Sequence, residues 1–187
     1  MGDELEHAIL RVERDELAAV REALAERAMV AIPGVGSIGW PSDEVAVLAP
    51  AGVVEESAGA EVASTERLAP AAHGTGGVQG PGGATVVAMR WFELAASDWD
   101  EFLELSVGAW QAFESTYGAT ILGLFRSADC REPDARALLV TRYASLGEWE
   151  RSREAGAGQG AAAEAGRRFR RRHQLTRRTI VRVGRPW

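Results

Sequence analysis

The chain has 187 residues, 46% of them hydrophobic and 26% charged, with a formal net charge of −6. That suits one or two small domains with a true core. A single cysteine, Cys130, excludes an intrachain disulfide, and with three scattered histidines it offers no zinc spacing, so no metal is expected.

The longest apolar runs fall far short of the ~18 residues that read as a membrane span. The acidic start MGDELEHAIL has no basic region and does not read as a secretory signal. A cytoplasmic protein with no membrane partner is expected. All 21 basic residues are arginine, which fits a GC-rich, actinobacterial-type codon bias. No side-chain amine is therefore present to form a Schiff base. Residues 1–83 hold 5 Arg against 14 acidic residues, and residues 84–187 hold 16 Arg against 13. The two halves could attract each other.

In chain order, HAILRV reads as a strand, and RDELAAVREALAERA as a helix with Leu17, Val20, Leu24 and Ala28 on one side. GVGSIGWPS and DEVAVLAP look like a strand pair, and VASTERLAPA like a closing strand. A second helix is hard to place, because AGVVEESAG is short and glycine-rich. PAAHGTGGVQGPGG, Pro70 to Gly83, then reads as a connector: six glycines and two prolines support neither a helix nor a central strand. The expected division is 1–70, a linker at 71–83, and 84–187.

The second half is clearer. ATVVAMRWF is apolar on both alternations, as a strand covered on both faces should be. Ser97 reads as an N-cap before the acidic turn of Asp98, Asp100 and Glu101. Trp99, Leu103, Ser106, Trp110, Phe113 and Tyr117 recur at spacings of four and three along one helix face, and Gly118 ends it. ATILGLFRS and ARALLVTRY are strands. LGEWERSREA starts a helix that resumes after a Gly/Ala loop and runs to His173. LTRRTIVRV is the last strand.

The order β-α-β-β-α-β is the ferredoxin-like plan. SIGWPS, Ser37 to Ser42, also rhymes with LGLFRS, Leu122 to Ser127. The expectation is an α+β fold of tandem ferredoxin-like units forming an α-β barrel, the first unit degenerate. Sheets covered by helices on one side must bury the other, either within the chain or against a second subunit.

RWFEL, SDWDEFLELSVGAWQAFE, ILGLFRS, LLVTRYASLGEWERSR and LTRRTIVRV together resemble a NIPSNAP-type domain of the dimeric α-β barrel superfamily. The resemblance covers about Ala84 to Val183 and is strongest over Arg90–Ser127 and Leu138–Arg153. STERLAPAA resembles the closing strand of the same module. The superfamily includes cofactor-independent monooxygenases, haem-degrading enzymes, polyketide cyclases, isomerases and dehalogenases. The resemblance implies a homodimer and a pocket between helices and sheet. Neither His7 nor His173 matches the ligating histidine of the haem-binding members, so no cofactor is expected.

Candidate residues follow from chemistry. Arg90, Arg126 and Arg142 sit inside strands, where each must reach solvent, a carboxylate or a ligand. The structural partners would be Glu93, Glu114 and Glu148; the functional alternative is an anion or enolate clamp. Trp110 and Tyr143 are candidate ligand contacts, since large rings with a polar edge often line cavities. Glu114, Tyr117 and His173 could serve as acid or base.

GRRFRRRHQLTRR suggests phosphate attraction, but it falls on a helix end and a strand, and pairing with the acidic first half would explain it. Nucleic acid is therefore not the expected partner. The G-x-G-x-x-G of Gly34–Gly39 follows a helix and precedes Pro41, contrary to a dinucleotide fingerprint. Cys130 reads as a loop thiol. A hydrophobic, polyketide-like small molecule is the expected partner, taken either by a cofactor-independent enzyme or by a non-catalytic binding and assembly module. The second requires a solid core, its pocket filled by its own side chains.

Overall fold

The computed structural model describes residues 4–54, 60–73, 86–154 and 161–187. The first half contains β1 (Leu5–Arg11), α1 (Leu17–Leu24), β2 (Val30–Pro33), β3 (Glu44–Pro50) and β4 (Glu61–His73). The second contains β5 (Val86–Ala95), α2 (Trp99–Tyr117), β6 (Ala119–Ser127), β7 (Asp134–Tyr143), α3 (Leu146–Glu154), α4 (Ala161–Leu175) and β8 (Thr176–Gly184).

All eight strands join one antiparallel sheet in the order β2-β3-β1-β4-β6-β7-β5-β8. Each half thus repeats the same ferredoxin-like order, and β4 pairing with β6 fuses them. The two outer edges meet through the segment after β2. Ile38 donates its N–H to Val183 O at 2.8 Å, and Trp187 donates to Ala31 O at 2.9 Å. The barrel therefore closes within one chain.

Three expectations need correction. The first-half hairpin uses Val30–Pro33, and GVGSIGWPS is a loop that bridges to β8 at Ile38; its rhyme with LGLFRS, which lies in β6, is not structural. β4 extends through His73, so the first residues of the expected connector are strand; 74–85 lie outside the described residues. Ser97 lies in a 3-10 turn (Ala96–Asp98), and no side chain caps α2. Gly118 ends α2 as expected, at φ +55°. The missing first-half helix falls partly at 55–59, outside the described residues.

Every strand gives one face to the barrel interior, including Leu5, Ile9, Ile32, Leu48, Leu68, Met89, Trp91, Phe125, Leu138 and Val140, with Ile180 packed against them. The outer face of the first half packs on α1 through Val20 and Leu24. The outer face of the second half packs under α2 and α4. His7 lies in the interior, edge-on to Trp91 at 5.2 Å. It is buried, and its Nε2 has no partner among the described residues.

Burial, then the charges of Arg182 and Arg136, lower the His7 pKa to about 3. The folded value sits below the unfolded 6.5, so the unfolded chain takes up a proton that the folded chain refuses. The contribution of neutral His7 is whole above pH 6.5 and is lost as pH falls toward about 3. Between about pH 6 and pH 4, wild type should lose about 1.4 kcal/mol per pH unit more than His7→Phe. Urea unfolding at stepped pH measures this, and parallel slopes would contradict it.

Gly34 holds the closing loop tight, its N–H bonding to Glu44 O at 2.5 Å. A Cβ there would overlap the Pro41 carbonyl oxygen and stand 2.9 Å from that of Glu44. Gly34→Ala should cost about 3 kcal/mol, read as a drop in urea midpoint at unchanged m.

Candidate functional site

The outer face of the second-half sheet alternates against its barrel face. In β5, Ala88, Arg90 and Phe92 point outward beneath the helices, while Val87, Met89 and Trp91 point inward. α2 presents Trp110, Phe113 and Tyr117 to that face, and α4 presents Phe169 and Arg172. Between them lies a cavity of about 580 Å³. Its sheet wall is Ala88, Arg90, Phe92, Ile121, Leu139, Thr141, Tyr143, Thr176 and Thr179; Ser152 and Arg153 of α3 complete it.

The aromatic wall is one packed group. Phe113 lies 5.1 Å from Tyr117, edge-on to Tyr143 at 6.4 Å and edge-on to Phe169 at 5.5 Å. Tyr143 and Trp110 are buried, at 3% and 6% exposure. The indole Nε1 of Trp110 has no acceptor among the described residues.

The described lining contains Arg90, Arg153, Arg170, Arg172 and His173, and no aspartate or glutamate. Arg172 is sandwiched by rings, with its guanidinium carbon 4.8 Å from the Phe92 centroid, 4.8 Å from Phe169 and 5.9 Å from Phe102. Its Nη1 donates to Ser106 Oγ at 3.4 Å, and Ser106 Oγ in turn donates to Phe102 O at 2.7 Å.

Burial, then the charges of Arg90 and Arg153, push Arg172 down to about 9. Burial and Arg153 push Arg90 down to about 10. Both side chains are half-buried, and burial is the largest cause of each shift. Guanidinium does not surrender its proton in practice. The depression therefore expresses the cost of holding two like charges in apolar surroundings without a counter-ion among the described residues.

Of the sequence candidates, Arg90, Trp110, Tyr117, Tyr143 and His173 line this cavity. Three others lie elsewhere. Arg126 stacks over Trp99, 4.5 Å from its centroid. Arg142 lies on β7 between residues of opposite facing, one step from Tyr143 and outside the lining. Glu114 Oε1 accepts the Ile121 N–H at 2.7 Å, tying α2 to β6.

The expected partners of the strand arginines also differ. Glu93 faces Arg136 and Arg178, and Glu148 pairs with Arg151. The C-terminal arginines find acids mainly within the second half: Arg171 with Glu101, Arg167 and Arg168 with Glu164, Arg177 with Asp134. Pairs crossing the halves are Arg136–Glu66, Arg182–Glu44 and Arg67–Asp129.

The sequence reading missed Phe169 and Arg172. Ala165, Phe169 and Arg172 recur at helical spacing, and that apolar seam was the available signal. Cys130 is half-buried, and burial pushes its thiol up, away from nucleophilic use. No group of metal-ligating side chains occurs among the described residues, and no described helix is long and apolar enough to cross a membrane.

No family model matches the chain, and no curated protein matches it. Solved structures do. An anthrone oxidase-like protein is 17% identical with a TM-score of 0.64, over 99% of this chain and 92% of its own. A candidate monooxygenase from Lactobacillus acidophilus NCFM is 9% identical with a TM-score of 0.62, over 98% and 94%. A NIPSNAP family protein from Agrobacterium tumefaciens str. C58 is 17% identical over 56% of this chain and 87% of its own, with a TM-score of 0.42. The first two span the whole barrel, and with them the chain shares the ferredoxin-like α-β barrel fold.

Proposed function

We propose that this α-β barrel protein binds a hydrophobic, polyketide-like metabolite and acts on it without a cofactor, by monooxygenase-type chemistry. The observation that carries the reading is the cavity of about 580 Å³ between α2, α4 and the sheet. That is the size of a small-molecule site. A non-catalytic module whose own side chains fill the pocket requires a solid core here, and the cavity favours the first reading.

Cofactor-free oxygenation needs a substrate whose C–H bond leaves an electron-rich carbanion, a base to take the proton, and a cation over the developing enolate oxygen. His173 and Tyr117, which line the cavity, would exchange the proton. Arg90 and Arg172, also on its wall, are the cations available to an anionic oxygen of the substrate. Dioxygen is the oxidant.

The anthrone oxidase-like neighbour makes anthrone an apt probe. Anthrone plus one O₂ gives anthraquinone plus one water. The purified protein should accelerate oxygen uptake and anthraquinone formation above the buffer rate. His173→Gln should lower kcat about 100-fold, whereas Arg126→Met, outside the cavity, should leave it unchanged. Anthrone that binds but is not oxidised would remove the catalytic part of this reading. Anthrone and other aromatic probes that fail to bind at all would remove the whole of it.

A further inference from the structure

We infer that the ligand of this cavity is an aromatic carboxylate, its anionic group held between Arg90 and Arg172 and its ring against Trp110 and Phe113. The inference rests on the cavity being a small-molecule site, and it names the chemical class that site selects.

The argument begins with where carboxylates are and are not. Arginines around the second half generally have an acid at hand: Arg136 has Glu66, Arg171 has Glu101, Arg167 has Glu164, Arg177 has Asp134. Arg90 and Arg172 have none among the described residues, although both line the cavity and burial is the largest influence on each. Burying a cation without an anion is among the costliest arrangements a fold can keep. Two such cations on one cavity, with Arg153 at its edge, concentrate positive potential in a space with no acid in its described lining.

Hydrogen-bonding capacity points the same way. A guanidinium offers five N–H donors. Arg172 uses one, to Ser106 Oγ at 3.4 Å, and Arg90 uses none within the described structure. Phe92 and Phe169 rings flank Arg172, each with its centroid 4.8 Å from the guanidinium carbon. A guanidinium held between rings with unused donors matches the two oxygens of a carboxylate. The buried indole N–H of Trp110, also on the cavity, lacks an acceptor among the described residues. The remaining wall is aromatic, so an apolar ring completes the fit.

The test compares 2-naphthoate with its neutral analogue 2-naphthylmethanol by calorimetry on the whole protein. Wild type should bind the carboxylate at least tenfold more tightly. Arg172→Met and Arg90→Met should each reduce that preference to threefold or less while leaving the affinity for the alcohol nearly unchanged. Arg171→Met, whose partner Glu101 lies at the surface, should keep the full preference.

Removing an unpaired buried charge should not weaken the fold, so Arg172→Met should melt no lower than wild type without ligand. If Arg172→Met does not fold, Arg90→Met carries the comparison. Equal affinity for the two compounds overturns this inference and leaves the cavity reading standing. Binding of neither overturns both. A preference that survives both arginine substitutions also overturns it, because the anion is then held elsewhere.

Discussion

The structure depends on closing one sheet upon itself. Most of the eight strands have a face too apolar for water, and those faces are buried only if the sheet curls until its edges meet. The closure is lightly built. β2 and β8 share no full ladder; the Ile38–Val183 pair and the Trp187 amide on Ala31 join them. This explains the tight backbone of the closing loop, where Gly34 passes against Pro41 and Glu44 with no room for a side chain. Once the inner faces are spent on each other, the helices must lie outside. The first half offers the eight-residue α1, while the second covers its sheet with the 19-residue α2 and 15-residue α4. The cavity lies under that second, double cover.

Charge is arranged around the same closure. Arg136 and Arg182 lie over Trp91 and Trp40, with centroid distances of 4.4 Å and 4.7 Å. Each pairs with an acid from the other half, Glu66 and Glu44. The imbalance between an acidic first half and a basic second half is thus partly discharged where the halves meet. The arginines on α4 are handled differently: Arg167 and Arg168 pair with Glu164 on the same helix and Arg171 with Glu101 of α2, while Arg172 turns inward between phenylalanines.

The second half was legible because its signals are long and periodic. α2 repeats its apolar residues over five turns, and β5 is apolar on both alternations because helices cover one side and the barrel interior the other. The first half was less legible for specific reasons. β2 is four residues, VAIP, too short to show a period, so the glycine-punctuated loop after it looked more like the strand. Pro70 argued against β4 continuing, yet the ladder with β6 shifts register between Pro70 and Ala72, which is where a residue without an N–H does least harm. Composition identified the breaker and could not reveal the bulge that accommodates it.

The site residues divide by the same logic of alternation. Arg142 and Tyr143 are consecutive in a strand, so they point to opposite faces and one cavity cannot hold both. Val140 and Leu138, two and four residues before Arg142, belong to the barrel interior, and Tyr143 belongs to the helix-covered core. A strand's parity is therefore sufficient to remove Arg142 once any one neighbour's face is known. Parity alone does not settle Arg126. Its strand carries a shift between Ile121 and Gly123, and beyond it the side chain comes to the helix side near the start of α2, against Trp99. Sequence periodicity tells which face a residue takes, while its distance along the helix axis tells which end. Arg90 satisfies both conditions: it lies mid-strand, on the helix side, opposite Trp110 and Arg172. There the sheet wall, the aromatic wall and the unpaired charge coincide.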